Sequence, residues 1–580
     1  MAKLKPGGAI LIVGFAAAIV GFGFYASQHR GNVNVQPVTN GNGGGDTTPT
    51  GGGSGGGETA GGDTGGEAPL TGTIQDTFKE VGREQLAITG KKGDYAWDAA
   101  KPTVVFQLNV WAGWGPVIAA NDGFAPGSPN SVFKKYGFDV ELRLQDDPVQ
   151  SAETYATGQA HTMWGTLDMI ALFAPQLKKV GLTPKVYQQI DWSQGGDGVV
   201  VRSQIRNVKG LAGKTIALCQ NSPSHYYILR LLADQGLSHR DVSFRFTQTA
   251  FGASNMFATD PTVHACVSWA PDIYTLTDPE KNPGGRARLL STTADAANVI
   301  ADVYGVRPDF AEAHPEIVRD LVKGIFEGID KLKENPDRVA QLMAQGFHLP
   351  VEDCQGMMMD AYPTGLGDNI RFFTDDSYAA NFQSTWDSAN KIYSDYGAIQ
   401  GAVVPASEVM DASVIQQLQS EGSFRDQKAQ AREFQPLAID VSKIEAGEDD
   451  ILNVPFRIQF KPNKWDLDAE YDDSIPATMK QIKELCQRYA GARIMIEGNV
   501  DTSKKNQIRR LGQRQYAVMG EAVLELSEKR AGSVREALLE AMPDEDPNRF
   551  MSFGNGWDNP IDLLDHAKNR RVDIRVIRLE

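Results

Sequence analysis

Between Pro102 and Ile399 short apolar strands take turns with amphipathic helices, and this alternation limits the fold more than any other feature of the chain. Thr103–Val110 (TVVFQLNV) and Phe138–Leu144 (FDVELRL) have the two-residue period of a half-buried strand. Lys214–Cys219 (KTIALC) and Val263–Trp269 (VHACVSW) are short apolar strands. Ser224–Gln235, Pro315–Lys333 and Pro336–Gln345 carry the period of amphipathic helices. Strands interleaved with helices imply α/β layers with largely parallel sheets. A stretch of about 300 residues is more than one hydrophobic core usually holds, so two lobes are expected over residues 76–410.

On the N-terminal side, Lys3 and Lys5 precede an uncharged run from Ala9 to Ala26 (AILIVGFAAAIVGFGFYA). Its length is about the minimum for a membrane span. No Cys follows it closely, and Ala26 has Phe24, not a small residue, two positions before it. Residues 1–30 are therefore read as an uncleaved single-pass anchor, one transmembrane helix in the inner membrane, with the bulk of the chain in the periplasm. A cleaved signal peptide is the alternative. Residues 31–75 form a flexible linker: between Gly41 and Gly66, fourteen of the twenty-six residues are glycine. Such a segment buries too little apolar surface to offset its ordering entropy. On the C-terminal side, residues 411–452 are a polar connector without a strong apolar stripe. From Asn453 a compact βαβ pattern resumes: strand Phe456–Phe460, helix Ile475–Tyr489, strand Arg493–Glu497, helix Leu526–Leu539 and strand Arg571–Ile577.

The formal net charge of −16 and pI near 5.1 argue against nucleic acid as a partner, because phosphate binding needs a basic surface. Four cysteines lie far apart with no CxxC, and eight histidines show no HxxxH or HExxH spacing, so neither a metal site nor a cofactor is expected. No GxSxG, P-loop or nucleophile–base spacing occurs, which favours binding over catalysis.

The middle region carries WAGWGP (Trp111–Pro116), ATGQAHTMW (Ala156–Trp164), VVVRSQI (Val199–Ile205), VKGLAGKTI (Val208–Ile216) and ACVSWAP (Ala265–Pro271) in that order. This series resembles the periplasmic substrate-binding proteins of the nitrate, sulfonate and taurine class, which serve ABC permeases. The resemblance implies a periplasmic-binding-protein fold of two α/β lobes closing on a small anionic or zwitterionic solute. Ligands of open α/β sheets bind outside the carboxyl ends of strands. Three such ends here are polar or aromatic, and they nominate Trp111, Trp114, Gly115, Thr166, Asp168, Ser222, Ser224 and His225. Trp269 stands at a fourth strand end, equally suited to pocket or core. Ser222 and Ser224 open a helix, where they either face an anion or cap the helix.

The last eighty residues carry IMIEGNVD (Ile494–Asp501), LSEKRA (Leu526–Ala531) and NRRV (Asn569–Val572). This order resembles the OmpA-like peptidoglycan-binding domain, which implies that diaminopimelate of the peptide stem is held by Asp501 and Arg530, with Asn569 and Arg571 as secondary contacts. A carboxylate for the ammonium and a guanidinium for the carboxylate suit a zwitterionic amino-acid head. Asn499 and Val500 stand where the family has His-Thr, and a basic stretch with Lys504, Lys505, Arg509, Arg510 and Arg514 lengthens the path to Leu526. The alternatives are a turn-forming Asp501 and a solvated Arg530.

Together these features describe a membrane-anchored periplasmic solute-binding protein attached to peptidoglycan over residues 453–580. Its output would go to a membrane permease or another envelope complex. The rival is a stator-like scaffold linking inner membrane to cell wall, with a degenerate cleft.

Overall fold

The computed structural model describes residues 70–83, 92–429, 450–461 and 463–578. The expected anchor at 1–30, most of the linker at 31–75 and residues 430–449 of the connector at 411–452 lie outside the described residues. Among the described residues, no helix is long and apolar enough to cross a membrane.

In chain order the strands of the first body are β1 (Glu80–Val81), β2 (Thr103–Leu108), β3 (Asp139–Leu144), β4 (Thr162–Thr166), β5 (Gln189–Ser193) and β6 (Asp197–Arg202). They continue with β7 (Thr215–Cys219), β8 (Ser243–Thr247), β9 (Ala265–Trp269), β10 (Ala287–Thr292), β11 (Ala301–Val306) and β12 (Ala361–Pro363). The first lobe holds the sheet β12-β5-β11-β4 beside the parallel pair β2-β3. The second lobe holds the sheet β1-β8-β7-β9-β6-β10. After β1, which lies in the second lobe, and β2, which lies in the first, the chain crosses between lobes twice more, from β5 to β6 and from β10 to β11. Each crossover brings a strand in against its neighbours, so β6, β10, β11 and β12 all pair antiparallel. The six-stranded sheet of the second lobe is therefore mixed and the four-stranded sheet of the first antiparallel throughout, not largely parallel as the alternation had implied.

The first lobe is closed by the helix Pro315–Glu334, which buries Ile317, Leu321, Val322, Ile325, Phe326 and Ile329 along one stripe. Each such side chain contributes on the order of 2 kcal/mol on leaving water. The body continues beyond residue 410. The helix Ser413–Glu421 buries Val414, Ile415 and Leu418, and Gln427 donates to the Phe326 carbonyl at 2.8 Å. Those three positions are a one-turn stripe too short to stand out from polar neighbours.

The C-terminal body is a sheet ordered β13 (Asp450–Phe456), β16 (Val572–Ile577), β14 (Arg493–Gly498) and β15 (Phe550–Gly554). β13 lies earlier than the expected 456–460 because Ile451 and Leu452 supply its buried residues. Pro455 fits there because the strand is at a sheet edge. The basic stretch becomes a short helix, Lys505–Arg509, and the first half of a 29-residue helix, Gln513–Ala541.

This body rests on the helix Pro223–Asp234 of the second lobe. Gln235 donates to the Asn453 carbonyl at 2.9 Å and accepts from its N–H at 3.1 Å. At the centre, the buried Asp234 accepts from Arg230, from Arg488 at 2.9 Å and from the Tyr489 hydroxyl at 3.2 Å. Burial works to raise its pKa, but Arg488 and Arg230 outweigh it and hold the carboxyl below its usual range.

Candidate functional sites: the interlobe cleft and the C-terminal pocket

The two crossovers bring acidic residues to one place. Asp191 on β5 and Asp302 on β11 are direct partners in the antiparallel register, so their side chains share one face of the sheet. Asp302 is also opposite Thr166, the last residue of β4. Two residues on, Asp168 accepts from the Thr166 hydroxyl at 2.6 Å and from the Tyr393 hydroxyl at 3.1 Å. Asp197 opens β6 and accepts from the Ser193 hydroxyl at 2.7 Å, while its Oδ1 is buried with no hydrogen-bond partner. Asp360, just before β12, accepts from the Tyr274 hydroxyl of the second lobe at 2.9 Å. Its Oδ2 is likewise unpartnered.

Burial raises every one of these carboxyls, and the charges that act on Asp191, Asp197 and Asp302 come from one another and from Asp168 and Asp360. Asp168, Asp197 and Asp360 are pushed up to about 7, and Asp191 and Asp302 well above the carboxylate range. An isolated buried carboxylate is costly, so such groups stay protonated until something positive arrives.

The indole N–H of Trp111 donates to Asp191 at 3.2 Å. The Trp111 ring packs on Gly196 between β5 and β6, where a Cβ would fall 2.3 Å from it, so only glycine lets the ring sit there. Trp269 donates across the lobes to the Val110 carbonyl at 2.9 Å. Trp111, Thr166, Asp168 and Trp269 thus come together at the lobe junction.

Other candidates lie elsewhere. Trp114 is in the core of the first lobe, its indole bonded to Asn109 at 2.8 Å, and Gly115 faces Leu332 and Val339. Their place in WAGWGP turned out to be the start of the helix Gly115–Asn121, whose burial against Pro315–Glu334 draws both inward. Ser222 donates to the Cys219 carbonyl at 2.8 Å and makes no side-chain cap. The Ser224 hydroxyl is buried without a partner. His225 is enclosed by Phe244, Phe246, Tyr393 and Tyr396, and burial lowers its pKa to about 3.

Asp191, Asp197, Asp302 and Asp360 escaped the sequence reading. A usable signal existed for two of them: Asp191 in QIDWS and Asp302 in IADVYGV interrupt otherwise buried strands, where a charge is rare unless paired.

In the C-terminal body, a Cβ on Gly498 would fall 2.0 Å from the Ser527 carbonyl, so glycine at the end of β14 lets the long helix lie against the strand. That contact brings Arg530 over the Phe460 ring, 4.8 Å from its centroid. Arg530 donates through Nε to the Lys464 carbonyl at 3.1 Å, and its Nη1 is buried without a partner. Burial lowers its pKa to about 10, partly offset by the charge of Asp501. Asp501 accepts from Ser503 and lies 3.4 Å from Arg570. Burial pushes its pKa up, but Ser503 and Arg570 bring it below the usual range. Arg530 is therefore buried, not a solvated helix residue.

Asn569 accepts from the N–H groups of Ile561 and Asp562 and donates to the Asp562 carbonyl, so its whole amide serves the loop before β16. Arg571 pairs with Asp573 through two bonds of 2.7 and 2.8 Å, leaving Nη1 unpartnered. Arg570, beside Asp501, was not among the expected residues; the NRRV motif had pointed to its neighbours.

Comparison with known proteins agrees with both bodies. Residues 130–339 match the family described as NMT1/THI5 like, and residues 459–573 match the OmpA family. The taurine-binding periplasmic protein of Escherichia coli (strain K12) is 26% identical over 211 residues, which are 36% of this chain and 62% of that protein. The match thus spans less than two thirds of that relative's length. Among solved structures, the alkanesulfonate-binding protein of Xanthomonas axonopodis pv. citri bound to MOPS is 18% identical, with a TM-score of 0.42, covering 54% of this chain and all of that one. The nitrate-binding protein of Synechocystis PCC 6803 is 15% identical, with a TM-score of 0.43, covering 56% of this chain and 91% of that one. The chain carries an NMT1/THI5-like substrate-binding domain followed by a C-terminal OmpA-family domain.

Proposed function

We propose that this protein is a periplasmic solute-binding protein that holds on to peptidoglycan through its C-terminal domain. The observation that carries the first half is the buried polar cluster at the two crossovers, where closure of two lobes would trap a small solute. A small solute with a positive group suits the place, since Asp197 and Asp360 each keep a buried carboxylate oxygen without a partner. The second half rests on Arg530 and Asp501, a guanidinium with a free Nη1 and a carboxylate close enough to act on it. The Ala9–Ala26 run would anchor the chain in the inner membrane, and a permease or another envelope complex would receive the signal of a closed cleft. The docking of the C-terminal body on the second lobe also suits the scaffold reading, in which the cleft binds nothing.

Melting of the full chain against a library of small solutes separates the two. A rise of several degrees with one compound supports the receptor, and silence throughout supports the scaffold. For the wall, co-sedimentation with purified sacculi should fail for Arg530→Ala and Asp501→Ala; retention of both variants would sink the assignment.

A further inference from the structure

The geometry points to an organic cation in the interlobe cleft: the solute carries a protonated nitrogen, an ammonium or amidinium, seated on Asp191, Asp197 and Asp302. This rests on the solute-binding reading above and names the chemical class of the ligand's positive group. The three carboxyls come from β5, β6 and β11, on both sides of one crossover and at the return of the other. Asp197 is 4% exposed and its Oδ1 has no partner, an open acceptor inside the cluster. Asp302 is 5% exposed, and its carboxyl meets no hydrogen-bond donor among the described residues. Asp191 has one donor, the Trp111 indole, which is neutral.

Three buried carboxyls elsewhere have cations, Asp234 with Arg230 and Arg488, Asp573 with Arg571, and Asp450 with Arg575, whereas Asp272 is buried on a backbone N–H without one. Among the described residues, the side-chain donors to the cleft carboxyls are hydroxyls and one indole, from Ser193, Thr166, Tyr274, Tyr393 and Trp111. A simple anion placed there would meet no guanidinium or ammonium among the described groups that act on these carboxyls. A metal ion fits no better, because among the described residues no group of three or more acidic, histidine or cysteine side chains can hold one. Carboxyls spread over several strands instead suit a cation whose N–H groups point in several directions.

The test uses the full chain at pH 8 and a matched panel. The cations are alkylammonium, choline and alkylguanidinium compounds, the zwitterion is taurine, and the anions are ethanesulfonate and nitrate. Calorimetry and melting are read for the unaltered protein, Asp302→Asn, Asp197→Asn and the surface control Asp395→Asn. The expected result is binding of a cation or of taurine, weakened roughly tenfold or more by either cleft variant and unchanged by the control. Both cleft variants should melt no lower than the unaltered protein without ligand, which separates lost binding from lost folding. Binding of ethanesulfonate or nitrate that is indifferent to Asp302→Asn and Asp197→Asn overturns the cation assignment and leaves the solute-binding reading standing. Silence of the whole panel overturns both.

Discussion

Asp234 and Asp197 are both sealed from solvent, at 7% and 4% exposure, yet they are held in opposite ways. Asp234 sits between two guanidiniums and a tyrosine hydroxyl, and its carboxyl is held below the usual range. Asp197 has one serine hydroxyl and like-charged neighbours, and its carboxyl is pushed up to about 7, first by burial and then by Asp168 and Asp360. Burial is common to the two, so burial does not separate a structural carboxyl from one kept for a ligand. The countercharge tells these two apart. At the domain contact it is built into the chain, and in the cleft it is missing, the pattern expected where a site trades stability for function.

The largest effect belongs to the paired carboxyl. Asp234→Ala leaves Arg230 and Arg488 facing each other without their anion, which should cost roughly 3–5 kcal/mol. Because the folded pKa of Asp234 is lowered, its contribution is present above the unfolded value near 3.9 and is lost as pH falls through the folded value. Melting at pH 7 should therefore show the full loss and melting near pH 2 much less of it. Equal losses at both pH values would mean that packing, not charge, holds this contact.

Asp197→Asn should do the reverse, by up to about 4 kcal/mol at pH 8. A carboxyl with a raised folded pKa favours the folded state most below the unfolded value near 3.9, and that advantage is lost as pH rises through about 7. Asparagine carries no charge to lose, so the variant should match the unaltered protein at pH 4 and melt higher at pH 8. A lower melting temperature at pH 8 would show that Asp197 already has a cation in the folded chain, and the contrast with Asp234 would collapse.

The sequence made half of this contrast readable. The helix Pro223–Asp234 was expected almost residue for residue, and Arg230–Asp234 has the i,i+4 spacing of an ordinary surface pair. Nothing local shows that Arg488, 254 positions later, closes on the same carboxyl. The cleft was hidden in a similar way. Asp168 was found because it follows a strand end with Gly-Thr, but Asp191 and Asp302 meet only through the register of β5 with β11, more than a hundred residues apart. Trp111 and Trp114 show the limit of composition: two tryptophans in one loop look equivalent, and the single 3-10 turn Ala112–Trp114 between them directs one to the cleft and one to the core. In the C-terminal body the spacing of IMIEGNVD, LSEKRA and NRRV located Asp501 and Arg530. It could not tell that the amide of Asn569 is fully engaged by its own loop.

The smallest effects make the sharpest comparison, because one chemical change can be made in both places. Tyr489→Phe removes the hydroxyl that donates to Asp234, and Tyr393→Phe the one that donates to Asp168. Each deletes one hydrogen bond, worth about 1 kcal/mol. At Asp234 the two guanidiniums keep the carboxylate charged, so Tyr489→Phe should lower stability by that amount with little change in its pH profile. At Asp168 the tyrosine donates to a carboxyl that has no cation, and that hydrogen bond favours its charged form. Tyr393→Phe should therefore move the titration of Asp168, followed by NMR of its carboxyl carbon, upward from about 7, while the melting temperature at pH 4 barely changes. If Tyr393→Phe leaves that titration in place, Asp168 is held by something other than its hydroxyl donors. The cleft would then be a second paired site, not a waiting one.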